Sequence, residues 1–283
     1  GNLNLIKLPH GDRGLTLAAL KLLTQREPRL APWLYAFAVS SKDTDTLERL
    51  AALADGAVTW GGDGAVSALR RLAPPGCKLM EWGHRLSFAY VAGYEDREAE
   101  WSALARHIVR TGGLLCSSCQ VIFLDTGRLE EGEAFCQAFL PLLNRAARER
   151  NRDGAAQAAL YTHTYRLERL AEGAGGRTWF GEGCSLTLKP DRELELSPLY
   201  GNVLVKCLPR GELIPVLRRQ KGRLQTAGLL CRPEEREELT ALLARAGVTR
   251  ITRAGEMSRT FPGEAHDGEY SLRRYIRLAD IET

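Results

Sequence analysis

No stretch of this chain stays apolar for the roughly 18 residues a membrane-crossing helix needs, so no span is expected. No signal-peptide pattern is read at its start. Its 7 cysteines are an odd number without paired spacings. That argues against a disulfide framework and for a reducing compartment, so a cytoplasmic location is expected. No His-x3-His pair occurs, and Cys77, Cys136, Cys184, Cys207 and Cys231 stand singly. A structural zinc site therefore lacks partners, and no metal is expected. Basic residues are interleaved with acids at a net charge of +4, which leaves no nucleic-acid footprint. Neither an internal repeat nor a low-complexity segment is found.

What is present suffices for a folded core. The chain has 283 residues, 44% hydrophobic and 26% charged, which fits one large domain or two smaller ones. It opens at Gly1-Asn2-Leu3-Asn4-Leu5-Ile6-Lys7 as a strand already under way, so a preceding segment is expected. Strands are expected at 3–8, 33–40, 57–60 and 77–82. Helices are expected at 16–25, 44–54 and 65–72, on the helical spacing of Leu47, Leu50, Ala51, Leu53 and Ala54 and on the stops at Pro28 and Pro74. This alternation predicts an α/β fold with a parallel sheet. Further on come a strand at 88–91, a helix to Thr111, long helices at 130–149 and 157–172, and a flexible turn at Gly173–Gly176. Strands at 185–189, 202–206 and 250–252, a helix at 233–246 and an amphipathic strand at 271–278 complete the reading.

Between the helix ending at Thr111 and the apolar run Val121-Ile122-Phe123-Leu124 lies Gly113-Leu114-Leu115-Cys116-Ser117-Ser118-Cys119-Gln120. A thiol in such a turn is held by rigid elements and can still face a cleft. Four readings compete: a nucleophile, a redox dithiol, a metal pair and two buried structural thiols. Redox chemistry wants the pair at a helix start directly after a strand, and here the order is reversed. The nucleophile leads.

Gly61-Gly62-Asp63-Gly64 joins a strand to a helix, where backbone N–H groups could hold a phosphate. It is not G-x-G-x-x-G, and Asp63 reads as a helix N-cap. Glu81 ends the fourth strand as either a general base or a salt-bridged carboxylate. His84 and Arg85 follow directly, and His84 by itself reads as structural. His266-Asp267-Gly268 is ordinary turn chemistry, with no catalytic role assigned.

Taken in order, Asn2 to Lys7, Trp60-Gly61-Gly62, Glu81-Trp82-Gly83-His84-Arg85-Leu86-Ser87-Phe88, Cys116-Ser117-Ser118-x-Gln120, His266-Asp267-Gly268 and Asp280-Ile281-Glu282 resemble the acyl-CoA reductase (LuxC) family, a branch of the aldehyde dehydrogenase superfamily. The resemblance implies an enzyme that reduces a fatty acyl thioester to an aldehyde with NADPH through an acyl-cysteine. Cys116 matches the nucleophile, and Cys119 stands where many relatives carry proline. Lys7 matches the lysine at the adenosine ribose, Gly61 and Gly62 the turn beside the cofactor phosphates, and Glu81 the superfamily's general base. His10 stands where NAD-using members carry a ribose-binding glutamate, with Arg13 close by, which implies a preference for NADPH. Pro198 replaces a second ribose-binding glutamate. The segment ahead of Gly1 in relatives completes the cofactor domain and supplies an oxyanion-hole asparagine, on the same chain or a second polypeptide.

The expected architecture is aldehyde dehydrogenase-like: a partial Rossmann-like cofactor domain over 1–86 and an α/β catalytic domain over 87–283 with a C-terminal return segment. The expected substrate is acyl-CoA or an acyl-protein thioester, with an acyl-protein synthetase as partner and a homo-oligomeric state. An aldehyde-oxidising dehydrogenase and a catalytically silent scaffold that binds an acyl-transferring partner are the alternatives.

Overall fold

The computed structural model describes residues 2–172 and 176–282. The chain divides into two compact units, Gly1–Gly83 and His84–Thr283. The sequence reading sets its boundary at Leu86.

The first unit runs β1 (Asn4–Lys7), α1 (Leu15–Arg26), β2 (Leu34–Phe37), α2 (Thr44–Ala52), β3 (Gly56–Trp60), α3 (Asp63–Leu72) and β4 (Lys78–Trp82). β1 pairs in parallel with β2, and β3 with β4. Parallel neighbours cannot be joined by a hairpin, so α1 and α3 serve as the crossovers. In the β3–β4 pair Trp60 faces Trp82, and the two indoles stack at 6.3 Å. Asp43 caps α2 by accepting the Thr46 N–H at 3.1 Å. At α3 the expectation is corrected: Gly62 is the N-cap and Asp63 the first helical residue. From there the Asp63 carboxylate complements the helix dipole.

In the second unit, β5 (Leu86–Val91) leads to α4 (Arg97–Thr111), β6 (Cys119–Leu124), α5 (Leu129–Arg148) and α6 (Arg152–Glu172). β7 (Arg177–Phe180), β8 (Ser185–Lys189), β9 (Asn202–Cys207), α7 (Leu213–Leu217), β10 (Leu224–Leu230), α8 (Arg236–Ala246) and β11 (Arg250–Arg253) follow. Among the described residues they form a seven-stranded sheet, ordered β11-β10-β5-β6-β9-β8-β7. All neighbours are parallel except β7, which is antiparallel to β8.

Strands buried on both faces read as near-continuous apolar runs. In β6, Val121 and Phe123 pack with α7 and α8, whereas Ile122 and Leu124 pack with α4 and α5. Phe88, Phe123 and Ile122 are almost wholly buried, each contributing about 1.5–3 kcal/mol. The carboxyl edge of the sheet is closed by Arg210, which donates to Asp125, Glu235 and Glu238.

Three expectations differ from the structure. β10 carries Ala227 and Gly228 in place of a β-branched run, and forms because it lies between β5 and β11 in the core. β7 is a further strand that the reading omitted. The amphipathic strand expected at 271–278 is instead a 3-10 helix over Ser271–Tyr275. The apolar residues there, Leu272, Ile276 and Leu278, are exposed, so their spacing marks no buried face. Of the turn expected at 173–176, residues 173–175 lie outside the described residues. No helix among the described residues is long and apolar enough to cross a membrane.

Candidate active site

β10, β5, β6 and β9 run parallel, so their first residues share one edge of the sheet. The cysteine turn lies at that amino edge, where α4 hands over to β6. Gly112 closes α4 in the left-handed region (φ 58°), its N–H donating to the Ile108 carbonyl. Gly113 follows at φ 79°, and a Cβ there would lie 2.9 Å from Leu199 Cδ2 and 3.1 Å from Ser197 Oγ. Glycine meets both demands, the positive φ and the close approach.

Leu115 and Ser118 then lock the turn reciprocally. The Leu115 N–H donates to Ser118 Oγ, and the Ser118 N–H donates to the Leu115 carbonyl, each at 2.9 Å. Ser117 Oγ lies 2.7 Å from Ser258 Oγ. Between these anchors Cys116 is exposed, flanked by the exposed side chains of Leu114 and Leu115.

Cys119 has the opposite environment. It is buried in β6, and burial pushes its thiol up to about 12. One thiol in the open and one in the interior suit neither dithiol exchange nor a shared metal. Among the described residues no group of three potential metal ligands occurs.

Two bulges aim glutamines at the surrounding loops. Gln120 is an extra residue between the pairs Ser87↔Cys119 and Phe88↔Val121. Its Nε2 donates to the Gly113 carbonyl at 2.9 Å, and its Oε1 accepts from Ser197 N–H and Oγ. Gln225, in the bulge of β10, donates to Asp267 Oδ1 at 2.6 Å. Asp267 also receives Arg85 Nε at 2.8 Å. The Arg85, Gln120 and Asp267 motifs, far apart in sequence, are thus joined to one edge of the sheet. Re-aiming a side chain is what a bulge does.

The segment after Pro198 is strained. Leu199 (φ 69°) and Tyr200 (φ 50°) occupy the left-handed region ahead of Gly201. Such non-glycine residues cost on the order of 1–3 kcal/mol each and persist only where neighbours over-determine them. Here the Tyr200 N–H donates to the Gly112 carbonyl at 2.7 Å, Arg150 donates to the Gly183 and Tyr200 carbonyls, and Asn202 Nδ2 donates to the Leu199 carbonyl. The strain is spent against the cysteine turn.

Behind the turn, a groove of about 1030 Å³ follows α4, lined by His107, Arg110, Gly112 and Tyr200 among others. His107 is buried beneath the cysteine turn, beside the Ser117 backbone. Burial, with Arg110 adding to it, pushes His107 down to about 4, so the ring is neutral at neutral pH. Neither it nor Ser197 was singled out in the sequence, where a lone histidine or serine carries no signal.

Lys7, His10, Gly61, Gly62 and Glu81 all belong to the first unit. Lys7 ends β1, with Nζ donating to the Leu8 carbonyl, and exposed His10 lies in the turn that follows. The Gly61 N–H donates to the Trp82 carbonyl at 3.1 Å, which ties the glycine turn to β4. Glu81 takes part in a salt bridge. Its carboxylate receives Arg70 Nε and Nη2 at 2.6 and 2.7 Å. His84 opens the second unit half-buried.

The model of the acyl-CoA reductase (LuxC) family matches residues 1–278. A long-chain acyl-protein thioester reductase of Aliivibrio fischeri is 25% identical over 245 residues, 85% of this chain and 50% of that protein. The chain therefore spans about half the length of this curated relative. Succinic semialdehyde dehydrogenase of Streptococcus pyogenes, solved with NADP+, superposes with a TM-score of 0.69 at 12% identity, covering 95% of this chain and 63% of the other. Delta-pyrroline-5-carboxylate dehydrogenase of Mycobacterium tuberculosis gives a TM-score of 0.62 at 14% identity, over 97% and 57%. The fold is that of the aldehyde dehydrogenases.

Proposed function

The chain belongs to the acyl-CoA reductase (LuxC) family, and on that footing we propose that it carries the NADPH-dependent reduction of a fatty acyl thioester to an aldehyde, with Cys116 as the acyl carrier. One observation supports this above the others: Cys116 is exposed in a turn that the Ser117 and Ser118 hydroxyls anchor. Its Sγ attacks the thioester carbonyl and the carrier thiol departs. The proton lost by Cys116 balances the one the carrier takes up. Exchange between two thioesters is close to thermoneutral, so the barrier is the tetrahedral adduct. The Cys116 N–H donates to no protein acceptor among the described residues and is available to the oxyanion. Exposed Leu114 and Leu115 offer apolar contact to an acyl chain. The carrier is coenzyme A or a protein thiol, and an acyl-protein synthetase is the partner this reading implies.

The glycine turn fits a dinucleotide phosphate. A Cβ at Gly62 would meet nothing within 4 Å, and the Gly62 N–H donates to no protein acceptor among the described residues. Gly61, Gly62, Lys7 and His10 would hold the cofactor. When bound, its nicotinamide supplies the hydride that releases the acyl group as aldehyde and returns Cys116 as thiolate. Gly62 has φ −74° and open space, so Gly62→Val should fold normally while its side chain fills the phosphate approach. Nucleotide affinity should fall roughly tenfold or more, the equivalent of about 1.4 kcal/mol. Unchanged affinity by calorimetry would leave Gly61-Gly62 a structural turn.

His10 sets the cofactor choice in this reading. No carboxylate there repels a 2′-phosphate, and Arg13 is close in sequence. NADPH should bind tighter than NADH, and His10→Glu should move the ratio towards NADH by roughly tenfold, about one charge-assisted hydrogen bond. Titration of both nucleotides against the full-length protein checks this; tighter NADH binding by the unmutated protein refutes it. An aldehyde-oxidising dehydrogenase would need Glu81 as base for hydrolysis, and its bidentate pair with Arg70 opposes that role. Aldehyde formation from a long-chain acyl thioester and NADPH, absent in Cys116→Ala, tests the reading as a whole.

A further inference from the structure

Ser87 sits where two register slips meet. Towards β6 the pairing passes from Ser87↔Cys119 to Phe88↔Val121, leaving Gln120 extra. Towards β10 it passes from Leu86↔Leu224 to Phe88↔Ala227, so Gln225 and Thr226 together face Ser87. Bulges on both sides interrupt the regular ladder at this one residue. The Ser87 hydroxyl fills both gaps. It accepts the Thr226 N–H at 3.0 Å and donates to the Cys116 carbonyl at 2.6 Å. Ser87 is fully buried, and one hydroxyl can make both bonds at once.

Cys116 is therefore gripped by its own carbonyl. Among the described residues the peptide bonds are trans, so the carbonyl and the following N–H point opposite ways across the plane. With the Cys116 carbonyl drawn into the sheet by Ser87, the Ser117 N–H is turned away from it. Neither the Cys116 nor the Ser117 N–H donates to a protein acceptor among the described residues. We propose, on the reading that Cys116 is the nucleophile, that Ser87 is a positioning residue: its hydroxyl fixes the Cys116–Ser117 peptide so that the thiol and these free amides face the acyl carbonyl together.

Two reactions of Cys116 separate this from a merely structural role. Acyl transfer passes through an oxyanion and needs the amides, whereas alkylation by iodoacetamide needs only an accessible thiolate. Ser87→Ala should slow acyl transfer from a long-chain acyl thioester to Cys116 by about ten- to a hundredfold, less than the roughly hundred- to thousandfold cost of deleting an oxyanion donor, because the amides are released rather than removed. Alkylation of Cys116 should change less than about threefold, since the thiol stays exposed. Tyr90→Phe is the matched control. It removes a buried hydroxyl on the same strand, which donates to the Leu208 carbonyl at 3.0 Å, and should leave both rates near wild type. Ser87→Cys, nearly isosteric and a weaker donor, should fall between wild type and Ser87→Ala, and decides the matter if Ser87→Ala does not fold. Wild-type acyl transfer in the Ser87 variants, or an equal loss in both reactions, overturns the role of Ser87. An unmutated protein that takes no acyl group on Cys116 overturns the functional reading instead.

Discussion

Cys116→Ala is expected to lose at least about a thousandfold in acyl transfer, the scale on which removing a nucleophile is felt. Cys119→Ala is expected to keep most of it. The contrast follows from where the thiols lie. Cys116 is exposed, whereas burial pushes Cys119 and Cys136 up to about 12 and Cys184 up to about 11. A thiol at about 12 is ionised at neutral pH in only about one part in 10⁵, and the thiolate is the attacking species. Cys119→Ala removes one buried sulfur, so its cost should be about 1 kcal/mol of stability rather than activity. Labelling with a radioactive acyl thioester reads both variants. Equal labelling of Cys116→Ala and wild type would sink the assignment.

The largest expected effect on stability lies one loop away. Lys206, on β9, is wholly buried and donates to Asp191, Glu195 and the Glu193 carbonyl, pinning the loop that leads into Ser197. Ser197 in turn holds Gln120 and through it the cysteine turn. The double variant Asp191→Asn, Glu195→Gln leaves a buried ammonium without its counter-charges. Breaking such a pair costs about 3–5 kcal/mol, and partial exposure of the carboxylates places the expected loss near about 2–3 kcal/mol.

Acid should reveal the same clamp. Burial alone would raise Asp191 and Glu195, but the hydrogen bonds and charge of Lys206 outweigh it and hold both carboxyls below the usual range. Groups lowered in the folded state stabilise it above their unfolded values, near about pH 4, and that contribution is lost as pH falls through the folded values. The unmutated protein should therefore lose stability in that window, and the double variant, which removes the pairing with Lys189 as well as with Lys206, should show a flatter acid limb. Thermal melts across the acid range measure it; identical limbs would show that the clamp is not coupled to folding.

The local structure around Cys116 is legible because its residues announce it. Two glycines after a helix, a cysteine–serine run and four apolar residues can hardly be anything but helix, turn and strand. The strands β5, β6 and β9 were readable for the same reason, being apolar on both faces. β10 was not, since Ala227 and Gly228 have no strand preference and only their neighbours make them a strand. The alternation at 271–278 suggested a strand whose apolar side chains in fact face solvent.

Ser87 illustrates the deeper limit. Both its partners are backbone atoms, 29 and 139 residues away, which any residue would supply save proline for the N–H. Only the two bulges bring them together, and a register slip leaves no mark in composition. Glu81 reads as two alternatives in the sequence, and nothing in the sequence marks Arg70 on α3 as its ion-pair partner.

The most direct test is a single-turnover chase. The full-length protein is loaded with a labelled long-chain acyl group, freed of excess thioester and then given NADPH. The label should map to the peptide containing Cys116 before the chase and leave it as aldehyde, with one nucleotide oxidised per acyl group released. Label on another residue, or its release as free carboxylate while NADPH stays unconsumed, would contradict the account.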